Sequence, residues 1–125
     1  MQYLLMIYDN EKTFASMPEA TKNKLMQEYA VFTQGIVKSG HFRTGAQLQP
    51  STSATTVRVT SGKRVATDGP YVETKEQLGG YYLVECKDLD EALSIAGRLP
   101  SLEVGGIVEV RPVLPQPAPN KDVAG

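Results

Sequence analysis

Cysteine and histidine are nearly missing from this 125-residue chain, which has one of each. The lone Cys86 excludes an intrachain disulfide and suits a reducing compartment. One histidine and one cysteine are too few for a zinc site of the usual nitrogen and sulfur kind, so no metal site is expected. Charge of one sign is also lacking. Thirteen Lys and Arg face 14 Asp and Glu, for a net charge of −1, and no bulk field favours direct contact with nucleic acid or an anionic membrane. No stretch reaches the ~20 apolar residues of a membrane span, and the first residues lack the basic and apolar segments of a secretory signal. A cytoplasmic location is expected. The glycine-rich segments have neither the spacing nor the lysine of a phosphate loop, and no Gly-x-Ser-x-Gly elbow occurs. What survives these exclusions is cofactor-free chemistry or simple binding.

Enough apolar sequence is present for one modest core. The apolar share is 41% and the charged share 22%, ordinary for one soluble globular domain. Residues 2–8 form a short run that is apolar on both alternating faces, as in a strand covered on two sides. The polar stretch 9–14 reads as a loop. A helix is expected from Met17-Pro18-Glu19, capped by Ser16, with Leu25, Tyr29, Phe32 and Ile36 at helical spacing and Gly40 as its left-handed stop. Strands follow at 42–48, 55–59 and 64–67, the last two joined by a tight turn at Ser61-Gly62-Lys63. A further strand over 81–86 precedes a helix over 89–98, capped by Asp88 or Asp90, with Leu89, Ala92, Leu93 and Ala96 inward. The last strand covers 107–113. This order is α+β, a ferredoxin-like βαββαβ arrangement with an inserted hairpin. Residues 1–114 are expected to form the domain, and 115–125 a proline-rich tail.

Both helices of such a fold cover one sheet face, so the other apolar face needs a cover of its own. A homodimer through that face is the economical solution.

The most rigid stretch lies mid-chain. Asp68-Gly69-Pro70-Tyr71 fixes a turn, Glu73, Lys75 and Glu76 follow in a charged loop, and Gly79-Gly80 opens the strand Tyr81-Tyr82-Leu83-Val84-Glu85. This pattern, with Asp88-Leu89-Asp90-Glu91-Ala92 and Val108-Glu109-Val110-Arg111-Pro112-Val113, resembles the YCII-related proteins, in their DGPF-domain branch. Tyr71 stands where the branch has phenylalanine. The resemblance implies a dimeric α/β barrel and, in the broader group, a His–Asp pair in a cleft. Asp68 matches that pattern, whereas the first helix holds no histidine.

His41 is the only side chain that titrates near neutrality without perturbation. As a catalytic pair it would be the acid or base and Asp68 its orienting carboxylate. A turn histidine and an Asx-type turn residue are the plain alternatives. Glu85, Glu109 and Arg111 lie within strands, and an Arg111–carboxylate pair suits a small anionic ligand, with Tyr29, Tyr71, Tyr81 and Tyr82 as pocket aromatics. An internal ion pair is the structural alternative. Two function classes follow. One is a small-ligand protein or cofactor-free acid–base enzyme in a cleft near the Asp68 loop. The other is a non-catalytic regulatory module, which the resemblance associates with the response of alternative sigma factors.

Overall fold

The computed structural model describes residues 1–115. Strand β1 (Gln2–Asp9) leads into a short helix α1 (Glu11–Ala15) and the long helix α2 (Glu19–Lys38). Strand β2 (Phe42–Gln47), the hairpin β3 (Thr55–Thr60) and β4 (Lys63–Asp68), and strand β5 (Gln77–Glu85) follow. Helix α3 (Leu89–Ala96), a 3-10 helix at Pro100–Val104 and strand β6 (Ile107–Pro112) are the last elements among the described residues. The main sheet has the order β2-β5-β1-β6 with antiparallel neighbours throughout, the ferredoxin-like arrangement expected from the element order. The hairpin β3-β4 forms a separate two-stranded sheet.

Alternation along β1 decides where the core lies. Tyr3, Leu5 and Ile7 are buried against the helices, while Leu4, Met6 and Tyr8 face the other way and are partly exposed. Phe32 and Ile36 of α2, Val84 of β5 and Ala92, Ile95 and Leu99 of the α3 region complete the core. Tyr82 joins it at the α2 side, edge-on to Phe32 with ring centroids 5.3 Å apart. Among the described residues, no helix is long and apolar enough to cross a membrane.

Several local expectations needed correction. Residues 11–15 are helical rather than loop, because the Asn10 side chain accepts hydrogen bonds from the Lys12 and Thr13 amides and caps the turn. Helix α2 starts two residues later than expected, with Pro18 rather than Ser16 at the N-cap and no side-chain cap bond. In α3 the inward stripe is Ala92, Ile95 and Ala96, and Leu89 and Leu93 are each nearly half exposed. Spacing by three and four from Ala92 reaches Ile95, Ala96 and Leu99, so the stripe runs into the following loop rather than back to Leu89. Strand β5 begins four residues before its expected start, at Gln77, and carries both glycines inside it. The turn residues behaved as their chemistry requires: Ser61, Gly62, Gly40 and Gly69 all have positive φ. The proline-rich tail lies outside the described residues except for Pro115.

Candidate functional site

A cavity of about 510 Å³ opens between α2 and the β1-β5-β2 side of the sheet. It exists because the helix-facing side of these strands is stripped of side chains. Gly80 pairs with Ile7 and Gly45 with Tyr82, so both glycines occupy the face that α2 covers. A methyl at Gly80 would lie 2.9 Å from the Ala46 carbonyl oxygen, and one at Gly45 equally close to the Tyr81 carbonyl oxygen. Helix α1 forms the roof, with Thr13 and Phe14 lining the cavity. It is tied down from three directions. The Ser51 amide and hydroxyl donate to the Glu11 carboxylate at 2.7 and 2.8 Å. The Glu11 amide donates to Gln77 at 3.1 Å, and Lys22 of α2 sits 5.6 Å above the Phe14 ring.

Asp9, the last residue of β1, lines the cavity and is partly buried. A bulge in β5 brings it there. Ile7 pairs with Gly80 and Tyr8 with Leu78, which leaves Gly79 as the extra residue beside Asp9. The carboxylate is wedged between two glycines. A methyl on Gly106 would come within 2.7 Å of Asp9 Oδ1, and one on Gly79 within 3.1 Å of Oδ2. Burial pushes the Asp9 carboxyl above its ordinary range, a hydrogen bond from Ser101 opposing part of that rise. Among the described residues, Asp9 has no cationic partner.

Ser101 is itself buried, at 3% exposure, and shares a short hydrogen bond with the Tyr29 hydroxyl. The arrangement that satisfies every group has Tyr29 donating to Ser101 and Ser101 donating to Asp9. The Tyr29 phenol is likewise raised, by burial first and by the nearby Asp9 charge as a smaller cause. One helical turn along α2, the Thr33 hydroxyl and the Tyr82 hydroxyl are 2.7 Å apart on the same cavity wall. The hydroxyls of Tyr29, Thr33, Tyr82 and Ser101 and the Asp9 carboxyl are thus all among the polar groups that line the cavity. Among the described residues, no three His, Cys, Asp or Glu side chains cluster as metal ligands.

The residues expected to carry chemistry fall into three places. Lys75 and Glu76 of the charged loop border this cavity, and Tyr81 touches it too, but in the sheet register Tyr81 pairs with Met6 on the face away from the helices. His41 is at the other end of the sheet, where its carbonyl accepts from the Glu85 amide. Since β1 runs seven steps from Gln2, opposite Glu85, to Asp9, that is ~23 Å away. There the His41 ring bridges Ser39 Oγ at 2.7 Å and Glu91 Oε1 at 3.0 Å, clipping the end of α2 to the start of α3. Glu91 is held below its ordinary range, first by the Lys87 amide and then by His41.

Asp68 ends β4, exposed and opposite Thr55, and makes no contact with His41. Tyr71 is 75% exposed. Arg111 and Glu109 do pair, at 2.5 Å, but on the sheet face away from the helices, where they share β6 register with Leu4 and Met6. Glu85 is not joined to them. It takes the amino group of Met1 instead. Tyr29 and Tyr82, expected as pocket aromatics, do line the cavity, whereas Asp9 and Ser101 were missed in the sequence, although the series Tyr3, Leu5, Ile7, Asp9 already placed a carboxyl in line with three core residues.

The likeness to known proteins spans the same stretch that builds the cavity. The family model of the YCII-related domain matches residues 1–116. An uncharacterized protein of Rhizobium meliloti (strain 1021) is 35% identical over 114 residues, covering 90% of this chain and 92% of the relative. From Asp9 to Gly106, every residue of the site falls inside that match, and the chain belongs to the YCII-related family.

Proposed function

We propose that this protein binds a small ligand in the cavity beneath α1 and moves a proton at Asp9 without a cofactor. The observation that carries the reading is a half-buried carboxyl, raised by burial, without a cationic partner among the described residues and wedged against two glycines in the lining of an open cavity. Ordinary packing fills such a space. Here the sequence keeps it open at Gly45 and Gly80 and points a carboxyl into it. A carboxyl shifted toward neutrality is better matched to proton transfer near pH 7 than an ordinary aspartate, and Ser101 and Tyr29 offer a path or a hydrogen bond for the group that gains charge. The cavity volume lies within the usual range for small-molecule sites. Lys75 and Glu76 bring the charged loop to its border, while Asp68 is not among the lining residues.

The same reading includes a homodimer. Leu4, Met6, Tyr8 and Ile107 form a partly exposed apolar strip on the sheet face away from the helices, the natural surface for a second copy. A reducing, cytoplasmic setting fits the buried thiol of Cys86. A regulatory module acting through this face is the alternative, and it has no use for an open cavity with a perturbed carboxyl.

The test is a screen of ring-sized ketone fragments by NMR, followed by deuterium exchange at the carbon next to the carbonyl. Hits are expected to shift the amides of Gly45, Gly79 and Gly106. Exchange should be faster with wild type than with Asp9→Asn by ~10²-fold, the scale of one acid–base group. Hits confined to other surfaces, or equal exchange with both proteins, overturn the proposal.

A further inference from the structure

We propose that the ligand enters the cavity with an uncharged polar end, a carbonyl, amide or hydroxyl, rather than as a carboxylate or an ammonium ion. The inference rests on the cavity reading above and narrows it to a substrate class. Its ground is the chemistry of the cavity lining. Apart from the loop residues Lys75 and Glu76, the polar side chains that line the cavity include Asp9, Asn10, Tyr29, Thr33, Gln47 and Ser101, and none of the lining residues outside that loop is a cation. A ligand carboxylate reaching Asp9 meets another carboxyl and hydroxyls, with no positive charge to replace its lost hydration. An ion left unpaired in an apolar site is far costlier than a neutral polar group that finds a hydrogen bond.

The cations nearest in the fold do not repair this. Lys75 lines the cavity, but the adjoining Glu76 lines it too, and the two charges offset. Lys22 is held over the Phe14 ring and donates to the Ala15 carbonyl at 3.3 Å. Arg111, the guanidinium suited to a carboxylate, lies on the opposite sheet face and is occupied by Glu109. The anion-binding expectation drawn from Arg111 therefore belongs to a different surface from the cavity.

A cationic ligand fares no better. An ammonium or amidinium group brings several N–H donors, and the lining outside the charged loop offers a single carboxyl. Ser101 already serves Asp9 and Tyr29, and Thr33 and Tyr82 are engaged with each other. Burial opposes ionisation of Asp9, so the one possible counter-charge is itself disfavoured. A neutral oxygen needs only to share hydroxyl hydrogen bonds, which each hydroxyl can extend through its spare lone pair or proton. The apolar walls, including Ile7, Phe14, Leu25 and Phe42, suit a ring-sized body.

Three nearly isosteric probes separate the possibilities: benzamide, benzoate and benzamidine, titrated at pH 7 against the full chain and followed at the amides of Gly79, Ser101 and Gly106. Benzamide is expected to bind at least ~10-fold more tightly than either ion, because only it avoids an unpaired buried charge. Benzoate or benzamidine binding as tightly as benzamide at those amides overturns this inference and leaves the cavity reading intact. Silence of all three probes at those amides, together with no ketone hit there, overturns the cavity reading and this inference with it.

Discussion

At the scale of single residues, two carboxylates pull the pH dependence of stability in opposite directions. Asp9 is raised by burial, so the folded chain holds its proton more tightly than the unfolded chain does. Its contribution is greatest below the ordinary carboxylate range and is lost as pH climbs through the raised folded value. Glu91 is lowered, first by the Lys87 amide, so its contribution is present above the ordinary range and is lost as pH falls through its depressed value. Asp9→Asn removes the first effect and leaves the second. Asparagine matches the shape and still accepts from Ser101, so the variant should melt no lower than wild type at pH 7. Its stability should also lack the decline from acid to neutral pH that Asp9 imposes. Thermal melts of both proteins between pH 4 and 8 check this, and a variant that melts clearly lower at pH 7 would show that the charged carboxylate stabilises the fold. A site that gains stability when its acid is neutralised is one kept at a cost for function. His41 gives the matching control. It clips α2 to α3 some ~23 Å from Asp9, so His41→Gln should lower the melting point slightly and leave benzamide titrations at the Gly79 amide unchanged. A change in those titrations would restore the histidine as a site residue.

At the scale of elements, glycine placement decides whether a cavity exists at all. Gly106 opens β6 just after the 3-10 helix, and a methyl there would sit within 2.8 Å of both the Ser101 carbonyl oxygen and its Cβ, besides crowding Asp9. Neither of the Ser101 atoms can swing away like the end of a flexible side chain. Gly106→Ala should therefore cost about 1–3 kcal/mol by overpacking. Pairing it with Asp9→Ala removes only the side-chain clash, so the double variant should recover part of that loss in chemical denaturation; no recovery at all would mean that the backbone clash with Ser101 dominates. This geometry also explains what the sequence did and did not reveal. Order and type of the sheet strands were legible because each carries its own period, as Tyr3, Leu5 and Ile7 do, and Gly40 and Gly62 announced their turns. The site was not. Asp9, Tyr29, Gly79 and Ser101 come from four separate elements and Gly106 from the turn before β6, and the sheet register with the bulge at Gly79 helps bring them together. The stronger signal in the sequence is Asp68, whose turn a proline and a glycine rigidify. That rigidity closes the base of the hairpin, where the Gly69 amide donates to the Ala54 carbonyl at 2.7 Å. The loop beyond it delivers Lys75 and Glu76 to the cavity border, not the carboxylate that opens it.

At the scale of the whole molecule, two parts of the surface stand apart from the core. The hairpin β3-β4 is exposed along almost its whole length, with Val57 and Val59 more than 60% exposed. Its two stems already meet at Ala54 and Gly69, so replacing residues 55–68 with an Asn-Gly turn should leave the melting point of the domain almost unchanged. A large fall would place the hairpin against a second copy. The open sheet face is the other part, and it supports a sharper test. Burying ~400 Å² of apolar surface there is worth ~10 kcal/mol before the cost of association, enough for a stable pair. Met6 is central to that strip and lies directly between Glu109 on β6 and Tyr81 on β5. A lysine at this position faces Glu109 in the single chain, an arrangement a sheet surface tolerates well. In a dimer the same lysine is pressed into the interface, together with its twofold copy, and must lose its water. Met6→Lys should therefore keep the circular dichroism of the folded chain while shifting sedimentation at micromolar protein from twice the 13.6 kDa chain mass to once that mass. A variant that stays dimeric moves the interface elsewhere, and the exposed hairpin is the next surface to probe.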